Sequence, residues 1–321
     1  MTDRRTLLAL PMLLAARPGR AQDGFPNRPI TVVSGYAPGG VTDVTSRAVA
    51  ERMSREFGVP VVVENRVGGA TAVANTAVAQ ARPDGYSLLM GTTSLAINPG
   101  LQPSLTPREP MRELAPVGMV FRSAFVLHVH PDLPVRSTAE LIAWCRANPG
   151  KLDFGSSGTG AVNHLALALF AQRAGIQVTH VPYRGGAPAL LDLRAGRIQA
   201  MFQAVLEALP SLAEGTTRGL AISSAGREPL LPEIPPVAEV LPGFDAVFWQ
   251  GLFAPAGTPA PILARLGAAL RVATEDADLR ARLAQQGVAL ITGDAEALGG
   301  LLARETALWG RLIQEAGIRP D

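Results

Sequence analysis

Short β-branched, apolar runs alternate with helix-period stretches along nearly the whole chain, and this alternation most restricts what the chain can fold into. Pro29-Ile30-Thr31-Val32-Val33 reads as a strand, 41–57 as a helix, Val61-Val62-Val63 as a strand, 70–81 as a helix and 86–90 as a third strand. When helices separate successive strands, each helix carries the chain back and the next strand runs parallel to the last. The sheet is then covered on both faces, and its strands are apolar throughout. A second series begins near Ala124-Phe125-Val126-Leu127 and passes through a helix opened by Ser137-Thr138-Ala139-Glu140, a capping-box pattern. It continues with strands at 152–156, 178–183, 198–202 and 219–223, with helices between them. After Phe248-Trp249-Gln250-Gly251-Leu252-Phe253, the segment Gly257-Thr258-Pro259 opens a mostly helical tail that includes 294–316.

A chain of 321 residues suits two such α/β units, each with its own core. The order of elements predicts a chain that crosses from one lobe to the other and returns. Residues 22–123 with 249–321 form lobe 1, and 124–248 form lobe 2. The crossovers are expected near 125–130 and 249–253.

Residues 1–21 read as a signal peptide. Arg4-Arg5 precedes an apolar run from Thr6 to Ala16, and Gly19-Arg20-Ala21 is a small-x-small cleavage site. Cleavage after Ala21 leaves a mature chain that starts at Gln22 in the periplasm, exported by the secretory or the twin-arginine route. The run is too short to span a bilayer, Pro11 interrupts it, and no other stretch is long enough, so no membrane insertion is expected. The leader holds four arginines against one aspartate, so the +2 of the whole chain becomes −1 without it. A near-neutral body has no electrostatic footprint for nucleic acid.

Enzyme signatures are missing. Gly150-Lys151 is followed by Leu152 and lacks the upstream glycine of a phosphate-binding loop. In the run Gly155 to Gly160, Thr159 stands where a nucleophile elbow needs glycine. His128-Val129-His130 puts two imidazoles on one strand face, but no third ligand follows at a diagnostic spacing, so no metal site is expected. The single Cys145 lies in a helical pattern and reads as a buried, inert thiol. No cofactor motif is present, and no catalytic residue is expected.

Three loops nearly without charge carry the remaining chemistry. They are Tyr36-Ala37-Pro38-Gly39-Gly40-Val41-Thr42-Asp43, Gly91-Thr92-Thr93-Ser94 and Gly155-Ser156-Ser157-Gly158-Thr159-Gly160. Each lies between a strand end and a helix start, where free N–H groups and the helix dipole favour an anion.

At these loops the sequence resembles the periplasmic receptors of tripartite tricarboxylate transporters, the Bug family. The resemblance covers nearly the whole mature chain. It is carried by Ala37-Pro38-Gly39-Gly40-Val41-Thr42-Asp43, Val63-Glu64-Asn65-Arg66, Pro83-Asp84-Gly85-Tyr86, Ala147-Asn148-Pro149-Gly150-Lys151-Leu152, His180-Val181-Pro182-Tyr183-Arg184-Gly185 and Leu252-Phe253-Ala254-Pro255-Ala256-Gly257-Thr258-Pro259. It implies a type II periplasmic-binding-protein fold, with two doubly wound α/β lobes joined by two crossover strands and a ligand cleft between them. It also implies a monomeric receptor that captures a small carboxylate and hands it to membrane permease subunits; a sensor presenting the same ligand to a kinase is the alternative. Gly39, Gly40, Thr92, Thr93, Ser156, Gly158, Thr159, Gly185, Gly186, Ala187 and Gln203 carry over as expected contacts. The chain departs from the family's usual pattern at Tyr36, which brings a phenol to the cleft, and at Gln199 and Gln203, where relatives often have aspartates. That departure predicts an organic acid without an ammonium group.

Overall fold

Strand β1 (Ile30–Ser34) leads into helix α1 (Val41–Phe57), strand β2 (Val61–Asn65), a 3-10 turn at Gly69–Thr71, helix α2 (Ala72–Ala79) and strand β3 (Ser87–Thr92). The structure, a computed structural model, describes residues 24–319 apart from Thr106, Arg184, Gln286 and Gly287, so the signal-peptide reading lies outside the described residues. β2 and β3 flank β1, both parallel to it. The pleat sends alternate residues to opposite faces. Ile30 and Val32, with Leu88 and Met90, pack on Val49 and Met53 of α1; Val33 and Leu89 pack on Ala74 and Val78 of α2.

Helix α3 (Ser94–Leu101) and the single turn α4 (Pro110–Glu113) precede strand β4 (Leu114–Val129). This 16-residue strand serves two sheets. Residues 114–124 pair antiparallel with β9 (Val247–Pro255), and residues 125–129 pair antiparallel with β7 (Ala200–Ala204). β9 in turn lies antiparallel to β3. The chain therefore changes sheets between Ala124 and Phe125, at the near edge of the expected crossover. On the return, Val247 and Phe248 are already paired in the first sheet, ahead of the expected 249–253.

Between the two crossings lie α5 (Thr138–Ala147), β5 (Asp153–Ser156), α6 (Val162–Ala174), β6 (Thr179–Pro182), α7 (Gly186–Arg194), β7, α8 (Val205–Ala213) and β8 (Arg218–Ile222). β6 and β7 flank β5, both parallel to it, which repeats the β2-β1-β3 scheme of the first sheet. The full order is β2-β1-β3-β9-β4-β7-β5-β6, with β8 paired to β4. Helices α9 (Ala260–Glu275), α10 (Ala277–Gln285) and α11 (Ala295–Glu315) complete the chain. Leu266 and Leu270 of α9 join the α1 side of the first sheet, while Leu302 and Trp309 of α11 join the α2 side. Among the described residues no helix is long and apolar enough to cross a membrane.

Three local expectations are corrected. The sheets are mixed, because β4 and β9 run against their neighbours. The second helix starts at Ala72, because Ala70 and Thr71 sit at positive φ (48° and 76°) and break the helical turn. β4 begins ten residues before the expected Ala124; Pro116 and Gly118 hide its start in sequence, and the ladder shifts register between them.

His128, near the end of β4, is fully buried, with Nδ1 3.1 Å from the Thr217 hydroxyl. Burial pushes its imidazole down to about 3, so it is neutral in the fold. The unfolded chain binds that proton at an ordinary histidine value, so stability is lost as pH falls below about 6.5. His128→Leu should flatten this acid limb by about 3 kcal/mol between pH 6.5 and 4, measured by urea unfolding. Parallel pH curves for the two proteins would assign the acid limb elsewhere. Among the described residues no three His, Cys, Asp or Glu side chains group around a metal-sized space.

Candidate functional site: a cleft ringed by helix amino termini

In a doubly wound sheet, ligands sit where connections leave adjacent strands toward opposite sides. The connection after β1 goes to β2 on one side, while β3 lies on the other; β5, β6 and β7 repeat the arrangement. The two crevices open onto one cavity of about 860 Å³. Its wall includes Tyr36 and Gly40 after β1, Ser94 after β3, Gly158 and Thr159 after β5, and Gln203 with Glu207 around the end of β7. The amino ends of α1, α3, α6, α7 and α8 all reach it. None of these five helices has a side-chain cap. Their first-turn N–H groups have no partner within the helix and carry the positive end of the dipole.

Six of the twelve predicted contacts line this cavity: Tyr36, Gly40, Gly158, Thr159, Gly186 and Gln203. Tyr36 is held by Thr92 and Ser94, whose hydroxyls lie 3.2 and 3.1 Å from its phenol, and by the edge of Phe248. Thr159 makes no hydrogen bond to another described side chain and is open to the cleft.

The other six do not line it. Thr92 is buried, with its hydroxyl against Tyr36. The Thr93 hydroxyl accepts from Trp249 N at 3.0 Å and donates to Val247 O, so it fastens β9 and has no donor left for an anion. The Gly39 N–H donates to Asp43 at 3.0 Å, and the Gly185 N–H to Ser157 O. Ala187 is beyond the rim. Ser156 is fully buried, with Oγ 2.6 Å from His180 Nε2 and bonded to both the N–H and the carbonyl of Gly158. This looks like half of a nucleophilic pair, but a hydroxyl shut away from the cleft braces the loop instead. Gln199 accepts from Asp153 N at the opposite end of the sheet.

Asp43 does not face the ligand space. It is held down to about 2, first by Arg47. Among the described residues Glu207 is the one charged side chain that lines the cavity, and no arginine, lysine or histidine does. The loop-by-loop reading missed it because it lies on the first turn of α8, past a strand end that carries no glycine motif. The topological rule could have found it: β7 borders the switch point, so the start of α8 must face the crevice.

The profile of the tripartite tricarboxylate transporter family receptor matches residues 45–318. The chain belongs to this family. Its members, the Bug receptors, are periplasmic solute-binding proteins and not enzymes. A protein from Pseudomonas sp. strain P51, described as a UPF0065 protein in the tcbD-tcbE intergenic region, is 38% identical, with 97% of this chain and 94% of that one covered. The solved structure of R. palustris Rpa4515 with adipate is 32% identical with a TM-score of 0.77, covering 93% of this chain and all of the other. MatC (Rpa3494) from Rhodopseudomonas palustris with bound malate is 32% identical with a TM-score of 0.74, covering 90% and 100%. The tripartite tricarboxylate receptor fold, a type II two-lobed architecture, is therefore the fold of this chain. In this receptor Gln250 clamps α1 to β9: it accepts from Thr45 at 2.5 Å and donates to Thr42 at 3.2 Å. That clamp sets the free amino end of α1 at the cleft.

Proposed function

We propose that this receptor captures a small organic carboxylate in the cleft and delivers it to the permease subunits of a tripartite tricarboxylate transporter. The carrying observation is the ring of uncapped helix amino termini around a cavity whose described lining holds no basic side chain. Backbone N–H groups and hydroxyls stabilise a carboxylate without an ion pair, which suits a protein that must release its cargo. The adipate and malate held by the two solved relatives support the same ligand class. We assign residues 22–123 with 249–321 to lobe 1 and 124–248 to lobe 2, with residues 1–21 as the export signal. Leu101 and Gly160 meet across the cleft, where a Cβ on Gly160 would lie 2.2 Å from the leucine.

Titration of a dicarboxylate and monocarboxylate panel by calorimetry, followed by solution scattering with the tightest binder, tests this. Binding should reduce the radius of gyration as the lobes close on β4 and β9. No heat with any carboxylate would remove the reading; binding with an unchanged radius would remove closure.

A further inference from the structure

Resting on the carboxylate reading, we propose that the corner where β7 meets α8 is a second subsite, built for a protonated amine, so that the ligand is a carboxylate carrying an amino group. Gln203 lines the cleft and is 2% exposed, yet its Oε1 is buried without a hydrogen-bond partner. Its Nε2 donates to Glu207 Oε2, and the Glu207 carboxylate also lines the cleft. The amide orientation follows from this neighbour: turned over, its carbonyl would face a carboxylate. The two side chains thus offer two acceptors side by side and no side-chain N–H that is not already used.

Gly186, at the amino end of α7, backs the pair closely. A Cβ there would stand 2.9 Å from Gln203 Nε2, 3.1 Å from Oε1 and 3.2 Å from Glu207 Oε2. A side chain at position 186 would press on both acceptors.

An ammonium group supplies three donors and a positive charge, and meets both needs at once. A second carboxylate placed against these two side chains would meet the Glu207 carboxylate and the Gln203 carbonyl. Among the described residues Glu207 has no cationic partner, and burial raises its pKa, which shows a carboxylate short of stabilising contacts. This proposal runs against the expectation drawn from Gln199 and Gln203, because an acid lies four residues beyond Gln203.

The test is calorimetry at neutral pH on the mature protein with matched pairs: glutarate and glutamate, succinate and aspartate, hexanoate and 6-aminohexanoate. In at least one pair the amino member should bind about tenfold tighter or more, the scale of one charged hydrogen-bond partner. Glu207→Gln should erase that advantage while the unaminated member still binds. Gly186→Ala, which pushes on the same pair from behind, should reduce it too. An unaminated acid that binds more tightly in every pair, or an amine preference that survives Glu207→Gln, overturns the subsite and leaves the carboxylate receptor standing. Binding of no member of any pair removes both.

Discussion

Asp43→Ala is expected to destabilise the receptor by about 2–4 kcal/mol and to lose most of its ligand affinity. Asp43 is 4% exposed and accepts three hydrogen bonds. They come from Gly39 N at 3.0 Å, Asn65 Nδ2 at 2.9 Å and Arg47 Nε at 2.9 Å, and a terminal nitrogen of Arg47 makes an ion pair with it at 2.9 Å. Asn65 also donates to the Tyr36 carbonyl. One carboxylate therefore ties the β1–α1 loop, the first turns of α1 and the end of β2 together. Alanine leaves the Gly39 N–H and the Asn65 amide without that acceptor and frees the loop that presents Tyr36 and Gly40. The pH dependence has a definite sign. The folded value is about 2 against an ordinary 3.8, so this stabilisation is present above 3.8 and is lost as pH falls toward 2. Denaturant unfolding and calorimetry measure the two effects. A variant within about 0.5 kcal/mol of the parent, the range of an ordinary surface substitution, would show that the loop holds its shape alone.

Glu305→Gln should remove a decline in stability toward neutral pH. Glu305 lies in α11, 7% exposed, and its Oε2 accepts from Trp249 Nε1 at 2.6 Å and Trp309 Nε1 at 3.2 Å. Burial raises its pKa to about 7, although the two indole donors pull the other way. A carboxyl whose folded pKa is raised contributes stability that is complete below its unfolded value near 4.5 and is lost as pH rises through 7. The loss amounts to about 3 kcal/mol between pH 4.5 and 8. A glutamine carbonyl can still accept from both indoles and never ionises. The stability difference between Glu305→Gln and the parent should therefore grow by about that amount over the range, in favour of glutamine. A difference that does not change with pH would mean that water reaches this carboxyl. The effect bears on function because Trp249 follows directly on the return crossing into the first sheet.

Much of the molecule was legible residue by residue. The strand at Pro29–Val33, the helix 41–57 and the capping box at Ser137 depend on contacts within a few residues, and all three appear: β1, α1, and a Ser137 hydroxyl that accepts from Glu140 N. Three glycine-bearing loops between strand ends and helix starts likewise pointed to the side of the sheets where the cavity lies. β4 was read short for an equally local reason: Pro116 and Gly118 are poor strand residues that a register shift accommodates.

What the linear pattern determines is therefore the set of elements, their alternation and the end of each sheet that faces ligand, since periodicity, capping and turn chemistry act over short spans. Which hydroxyls remain available was decided by partners distant in the chain. Thr93 is taken by Trp249, 156 residues away, and Ser156 by His180, while Thr159 stays open. The charge of the cleft was decided in the same way. Nothing near Glu207 in the sequence marks it as a cleft residue; it lines the cavity because β7 closes the second switch point and turns the first turn of α8 toward it. Packing of remote elements settles which polar groups are consumed and which are left facing the cavity, and the affinity and selectivity of the receptor rest on the groups left over.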